Sequence, residues 1–307
     1  MPLCSRSTSI IFIISLLLTV GVASASQGKR SPGKFYVVGA GPAGPELATQ
    51  RALEVIKGAD YILCDKDVKS LFSVPLKDKE ILADPWPQDA GKPWRKLTPE
   101  EKRARWQKRV KIRKDISRQV KDKLSQGKSV ALLVTGDPTV YTSAFYFAEG
   151  LDDAQVEVIP GVGALSAAMA ALKRPSTVGG SRFVAFTEPS SFFGKTDRHD
   201  LARDLSHIPG TLAFYMGLWE PEKLVESLKN FNPGDLPVTV VYFAGYRDKE
   251  KIIKGNLNNI LEKIAPEKEK FMGLIIVGRS LEGSRFTMPD FNEPAVPDRP
   301  KPAKNRH

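Results

Sequence analysis

Residues 37–47 read VVGAGPAGPEL, and the reading of this stretch decides the fold. An apolar run ends there, and Gly39-Ala40-Gly41-Pro42-Ala43-Gly44 follows it, ahead of a helical pattern. The glycines fit G-x-G-x-x-G, and Asp65 stands 21 residues beyond Gly44, at the end of the next apolar run. That spacing is a dinucleotide fingerprint, in which N–H groups at a helix N-terminus receive a pyrophosphate. Pro45 argues against it. Proline lacks an N–H and fits the first turn of a helix that begins at its own position. Such a helix starts too late to aim free N–H groups at a pyrophosphate.

Outward from this loop, short apolar runs alternate with helical patterns. Residues 35–38, 61–64, 130–134 and 156–159 are β-branched or aromatic and bounded by Gly, Pro or Asp. Between the first two, residues 47–57 carry a helical pattern with Gly58 as its stop. This order predicts an α/β fold with a parallel sheet covered on both faces. A second strand series follows at 183–186, 211–215, 238–243 and 274–277. Residues 173–181, with Pro175 and two adjacent glycines, form the boundary between the two series.

The chain has 307 residues, 46 Lys+Arg and 35 Asp+Glu, a net charge of +11. Residues 95–123 hold 13 Lys+Arg against 4 Asp+Glu, so +9 of that excess sits in one segment. Within it, Thr98-Pro99-Glu100-Glu101 is a capping box with Pro at the first helical position, which predicts a helix start. Trp106, Val110, Ile112, Ile116, Val120 and Leu124 give that helix an apolar stripe. The basic helix, near 95–124, reads as an insertion in the first domain.

The ends differ from the body. Arg6, an apolar run at 10–22 and Ala23-Ser24-Ala25 have the pattern of a secretory signal over residues 1–25. An exported (periplasmic or secreted) chain is the expectation, or a cytoplasmic one if the start codon is misassigned. Residues 26–33 form a linker and 284–307 a Pro-rich disordered tail. Cleavage would leave Cys64 as the single cysteine, in an apolar run and expected to be a buried thiol. With three His and so little Cys, no zinc site is expected and no metal ligands are assigned.

Further motifs occur in order: ADYILCD at 59–65, TGDPTVY at 135–141, VEVIPGVGA at 156–164, TLAFYM at 211–216, PVTVVYFAG at 237–245 and LIIVG at 274–278. Together with the first loop, this series resembles the tetrapyrrole (corrin/porphyrin) methylase family, from about Lys34 to Leu281. The resemblance implies two α/β domains, here 34–175 and 176–283, with a ligand cleft between them. It implies S-adenosyl-L-methionine as methyl donor and a tetrapyrrole of the precorrin or uroporphyrinogen class as acceptor. It also implies a homodimer.

Carried over by motif, the donor site comprises Pro42, Thr135, Gly136, Asp137, Val140, Gly163, Ala164, Met216 and Gly245. The residue chemistry agrees: Gly136 and Gly163 permit close backbone approach, and Pro138 and Pro160 turn the chain at strand ends. Asp137 could bond an ammonium or ribose hydroxyl, or cap the following turn. Asp65 falls where some members place a proposed carboxylate base, and it could equally cap a helix. The sequence departs from the family in the turn Ala244-Gly245-Tyr246-Arg247 and throughout the stretch that holds Trp86, Trp94 and Trp106.

The basic helix has three readings. Arg109 and Arg113 could pair the acceptor's carboxylates, with a tryptophan against the macrocycle. The helix could meet RNA phosphates, which an exported chain disfavours. Or it could be a solvated face. Two alternatives to tetrapyrrole methylation are an exported, non-catalytic tetrapyrrole-binding protein and a divergent methylase of a peptide or RNA.

Overall fold

A computed structural model describes residues 33–87, 96–177, 181–189, 192 and 200–282. The signal-like segment, Trp94, Arg95 and the C-terminal tail lie outside these residues.

The first sheet has the order β3-β2-β4-β1-β5 and every pairing in it is parallel. Its strands are β1 (Phe35–Gly39), β2 (Tyr61–Leu63), β3 (Glu80–Ala83), β4 (Val130–Val134) and β5 (Val156–Ile159). The central strand β4, VALLV, is buried at every position. Such a continuous apolar run belongs to a strand covered on both faces. On one face α1 (Gln50–Gly58) and α2 (Lys66–Leu71) contribute Ala52, Val55, Ile56 and Val68 to the core. On the other, α3 (Pro99–Ser125) contributes Ile116, Val120 and Leu124.

The expected helix at residues 47–57 divides in two. Pro45–Leu47 forms one 3₁₀ turn, and α1 begins at Gln50, where the Thr49 hydroxyl accepts from the Ala52 N–H at 3.1 Å. Thr49 is the better N-cap, because its side chain satisfies a free amide of the first turn.

Helix α3 starts at its predicted capping box. Thr98 Oγ1 accepts from Glu101 N at 3.2 Å, and Glu101 Oε2 accepts from Thr98 N at 2.8 Å. The helix has 27 residues and is about 40 Å long. Its predicted stripe is buried only from Ile116 onward, and Trp106 is 51% exposed. The N-terminal half of α3 therefore stands away from the core.

The second sheet is mixed, with the order β6-β7-β10-β8-β9. It contains β6 (Val184–Thr187), β7 (Thr211–Phe214), β8 (Pro237–Tyr242), β9 (Lys251–Asn256) and β10 (Gly273–Val277). β6 and β7 are parallel; the other pairs are antiparallel. Two of the ten strands among the described residues, β3 and β9, lie outside the predicted apolar runs of the sequence. Helix α4 (Ala164–Leu172) follows β5 in the chain, yet Ala168, Met169 and Leu172 pack on Ala213, Val241, Leu274 and Ile276 of the second sheet. It therefore couples the two layers next to the cleft. Lys173, in the left-handed region at φ 55°, closes it. Cys64 is buried at the end of β2, and burial pushes its thiol up to about 11. No described helix is long and apolar enough to cross a membrane.

Candidate functional site

Four glycines bring the loops at the C-terminal edge of the first sheet together. Gly41 N donates to Gly136 O at 3.2 Å, and Gly136 N donates to Gly41 O at 2.9 Å. A Cβ on Gly39 would lie 2.5 Å from Gly161 N, and one on Gly161 would lie 2.2 Å from Gly136 O. Gly41 has φ +74°, a backbone conformation that favours glycine. Gly39 and Gly41 of the first loop thus serve backbone packing. The loop leads into a 3₁₀ turn at Pro45, and α1 begins only at Gln50, six residues beyond Gly44, so the dinucleotide reading fails.

Above these loops lies a cavity of about 220 Å³. From the first sheet it is lined by Pro42, Thr135, Gly136, Asp137, Val140, Tyr141, Gly163 and Ala164. From the second come Tyr215 and Met216 after β7, Val241, Phe243 and Ala244 around the end of β8, and the chain from Phe271 to Leu274 at the start of β10. Eight of the nine predicted donor-site residues line this one space. The ninth, Gly245, does not. It stands behind Pro42 at φ +87°, where a Cβ would lie 2.6 Å from Leu47 Cδ1 and 3.4 Å from Pro42 Cγ. Its neighbour Ala244 takes the place in the wall.

The cavity is small-walled on one side, apolar on another and carries one carboxylate. Gly136 and Gly163 face open space: a Cβ there would find its nearest atoms at 4.0 and 3.7 Å. At Gly136 the backbone, at φ +79°, itself favours glycine, whereas at Gly163, at φ −76°, neither packing nor conformation demands it; side chains at either place would fill space that a ligand could use. Asp137 accepts from Thr139 N at 2.9 Å and Thr139 Oγ1 at 2.8 Å, both through Oδ1. It therefore caps the following turn with one oxygen and has the other for a ligand. Burial first, with the nearby Asp137 charge adding, raises the Tyr215 hydroxyl above the usual tyrosine range.

Asp65 lies outside the cavity wall, at the end of β2. Its Oδ1 accepts from Asp67 N at 2.9 Å and Val68 N at 2.8 Å, so it caps α2. A second carboxylate, Asp84, ends the neighbouring strand β3, where the adjacent Ala83 carbonyl accepts from Cys64 N. Burial, with the charges of Asp65 and Asp67 adding, raises the Asp84 carboxyl above its ordinary range. Sequence reasoning missed Asp84 because it missed β3. Tyr246, from the turn after β8, feels the same two charges after its burial and is likewise raised.

Arg109 and Arg113 are not in the cavity wall. The Arg113 guanidinium lies 4.4 Å from the centre of the Tyr146 ring and 5.7 Å from that of Trp106. It belongs to an outer surface where α3 meets the 3₁₀ turn Ala144–Phe147. Trp86 stands on the same side of the first sheet. Its Nε1 donates to Ser143 Oγ at 2.7 Å, and its ring meets Phe147 edge-on.

Two α/β layers with a small amphipathic cavity at their strand ends define a class of ligand-binding enzyme fold. Residues 34–261 match the family model for Tetrapyrrole (Corrin/Porphyrin) Methylases. The chain is 32% identical over 257 residues to a cobalt-precorrin-4 C(11)-methyltransferase from Methanocaldococcus jannaschii, covering 81% of this chain and 88% of that protein. Its fold is similar to that of a cobalt-precorrin-4 methyltransferase of cobalamin biosynthesis, with a TM-score of 0.61 and 26% identity over 81% of this chain and 96% of that one. A uroporphyrin-III C-methyltransferase from Thermus thermophilus, solved with S-adenosylhomocysteine, has a similar fold, with a TM-score of 0.58 and 23% identity over 81% and 99% of the two chains. The chain belongs to the tetrapyrrole methylase family, whose members are S-adenosylmethionine-dependent methyltransferases.

Proposed function

We propose that this chain transfers a methyl group from S-adenosylmethionine to a carbon of a tetrapyrrole of the precorrin or uroporphyrinogen type. The observation that carries the reading is the convergence of eight motif residues, from four separate segments, on one cavity. When bound, S-adenosylmethionine supplies a methyl group on a sulfonium, already an activated leaving group. The protein's task is then chiefly alignment. Gly136, Gly163 and Ala164 form the small wall for the ligand, Val140, Met216 and Phe243 the apolar one, and the second oxygen of Asp137 accepts from an ammonium or hydroxyl.

Methyl transfer would form a bond from the acceptor carbon to the methyl and break the sulfur–methyl bond with its electron pair left on sulfur; the acceptor carbon, already fully substituted, carries no hydrogen, so the balancing proton would leave from another atom of the macrocycle. Asp65 is the proposed acceptor of that proton. The outer surface of α3, with Arg109 and Arg113, is proposed to meet the acceptor's carboxylates. Peptide and RNA acceptors gain no support from the relatives named above. A homodimer is the expectation from the family resemblance, and the signal-like residues 1–25 support export.

The test is incubation of the purified chain with S-adenosylmethionine and uroporphyrinogen III or precorrin extracts, read by mass spectrometry. A product heavier by one CH₂ supports the reading. An unchanged acceptor pool, with a positive control from a known methylase, rejects methyl transfer to this class.

A further inference from the structure

Among the described residues, four that are not glycine adopt left-handed backbone: Tyr141 (φ 50°), Lys173 (φ 55°), Met216 (φ 55°) and Phe243 (φ 48°). Lys173 is an ordinary helix terminus. The other three all line the cavity between the sheets. Large side chains rarely take this conformation, and it persists where surroundings over-determine it, most often at functional sites.

Tyr141 shows what holds it. Its hydroxyl donates to the Phe186 carbonyl at 3.2 Å, and its ring lies 5.3 Å from that of Tyr215 at 40°. Phe186 belongs to β6, the edge strand of the second sheet. Tyr141 itself follows β4 of the first sheet, four residues after Asp137 and six after Thr135. The side chain therefore spans the two layers at the rim of the cavity. Tyr141 and Phe186 are 49% and 48% exposed, so this bridge is not a packing core. A half-exposed ring and one exposed hydrogen bond return little to stability. The strain at Tyr141 is better matched to holding the 135–141 loop in one place.

We propose that Tyr141 is a positioning residue that straps the loop after β4 to β6, fixing Thr135, Gly136 and Asp137 against the methyl donor. This rests on the donor-binding reading above. A merely structural tyrosine would lose stability and binding together when replaced; a strap loses binding alone.

The experiment is calorimetric titration of S-adenosylhomocysteine into the wild-type chain, Tyr141→Phe and Tyr141→Gly, with melting midpoints measured without ligand. Tyr141→Phe keeps the ring and removes the bridge. It should melt within about 2 °C of wild type yet bind about fivefold more weakly, the worth of one hydrogen bond. Tyr141→Gly relieves the left-handed strain. It should melt no lower than wild type and bind at least about tenfold more weakly, since ring and bridge are both gone. In turnover assays both variants should raise KM for the donor more than they lower kcat. If wild type binds and both variants bind within about twofold of it, the strap is wrong while the donor reading stands. Variants that lose binding only in step with a fall in melting midpoint also overturn it. If wild type does not bind at all, the donor reading fails and takes the strap with it.

Discussion

Gly161→Ala should be a strongly damaging one-methyl change beside the cavity. The new Cβ would lie 2.2 Å from Gly136 O, and 2.9 and 3.0 Å from Gly39 Cα and C. All three are backbone atoms, so no side-chain rotation relieves the clash. Each neighbour is also pinned: Gly136 N and O both bond Gly41, and Ala40 N donates to Val134 O at 2.8 Å. Restoring an ordinary contact takes a shift of about 1 Å in the loop after β4 or the loop after β5. Overpacking of this kind costs about 1–3 kcal/mol. At about 2–4 °C per kcal/mol for a body of this size, the melting midpoint should fall by about 2–12 °C. Because Gly136 forms part of the cavity wall, S-adenosylhomocysteine binding should fall with it. Gly163→Ala is the control. It sits at φ −76°, a conformation any residue adopts, and its Cβ would meet only Asp137 Cβ at 3.7 Å. It should melt within about 2 °C of wild type. The assay is differential scanning calorimetry of the three proteins. Equal midpoints for Gly161→Ala and wild type would refute the claim that these glycines are needed for backbone packing.

Asp60 accepts from Ser129 N at 2.8 Å, Ser129 Oγ at 2.7 Å and Lys128 Nζ at 3.1 Å, and the Ser129 N–H is the first cause of its lowered pKa. Its folded state holds the proton less tightly than the unfolded chain, so its contribution is present above about pH 4 and is lost as pH falls below that. Asp60→Ala should cost about 1 kcal/mol at pH 7 in urea unfolding, a gap that closes in acid. A gap that stays constant with pH would refute the assignment. Asp65→Asn keeps a cap for α2 and should leave stability within about 0.5 kcal/mol, whereas Asp65→Ala should cost about 1 kcal/mol. Both should abolish methyl transfer if Asp65 takes the proton; full activity in Asp65→Asn would leave it a cap alone. Charge reversal at Arg109 and Arg113 together should raise KM for the tetrapyrrole with little change for the donor, and an unchanged KM would return α3 to a solvated face.

Eight of the ten described strands were legible because each is a short apolar run stopped by Gly, Pro or Asp. β3, EILA, has no fully buried residue, and β9, KIIKGN, is a half-exposed edge strand carrying two lysines. Neither shows the apolar signal that a central strand does. The antiparallel direction of β8, β9 and β10 also leaves no mark in composition. The cavity was legible where a turn imposes its own residues, as at Thr135-Gly136-Asp137-Pro138. Phe271 and Met272 were not, because their place in the wall is set by how β10 returns beside β7 and β8. Asp84 was lost with β3. The stripe on α3 was overread at Trp106 because periodicity reports a face without reporting what covers it.

The central claim is that the cavity between the two sheets holds the methyl donor. Isothermal titration of S-adenosylhomocysteine into the purified chain tests it most directly. Saturable one-to-one binding, weakened by Asp137→Ala, is the expected result. No measurable heat at millimolar ligand, from protein shown to be folded by its melting transition, would contradict it.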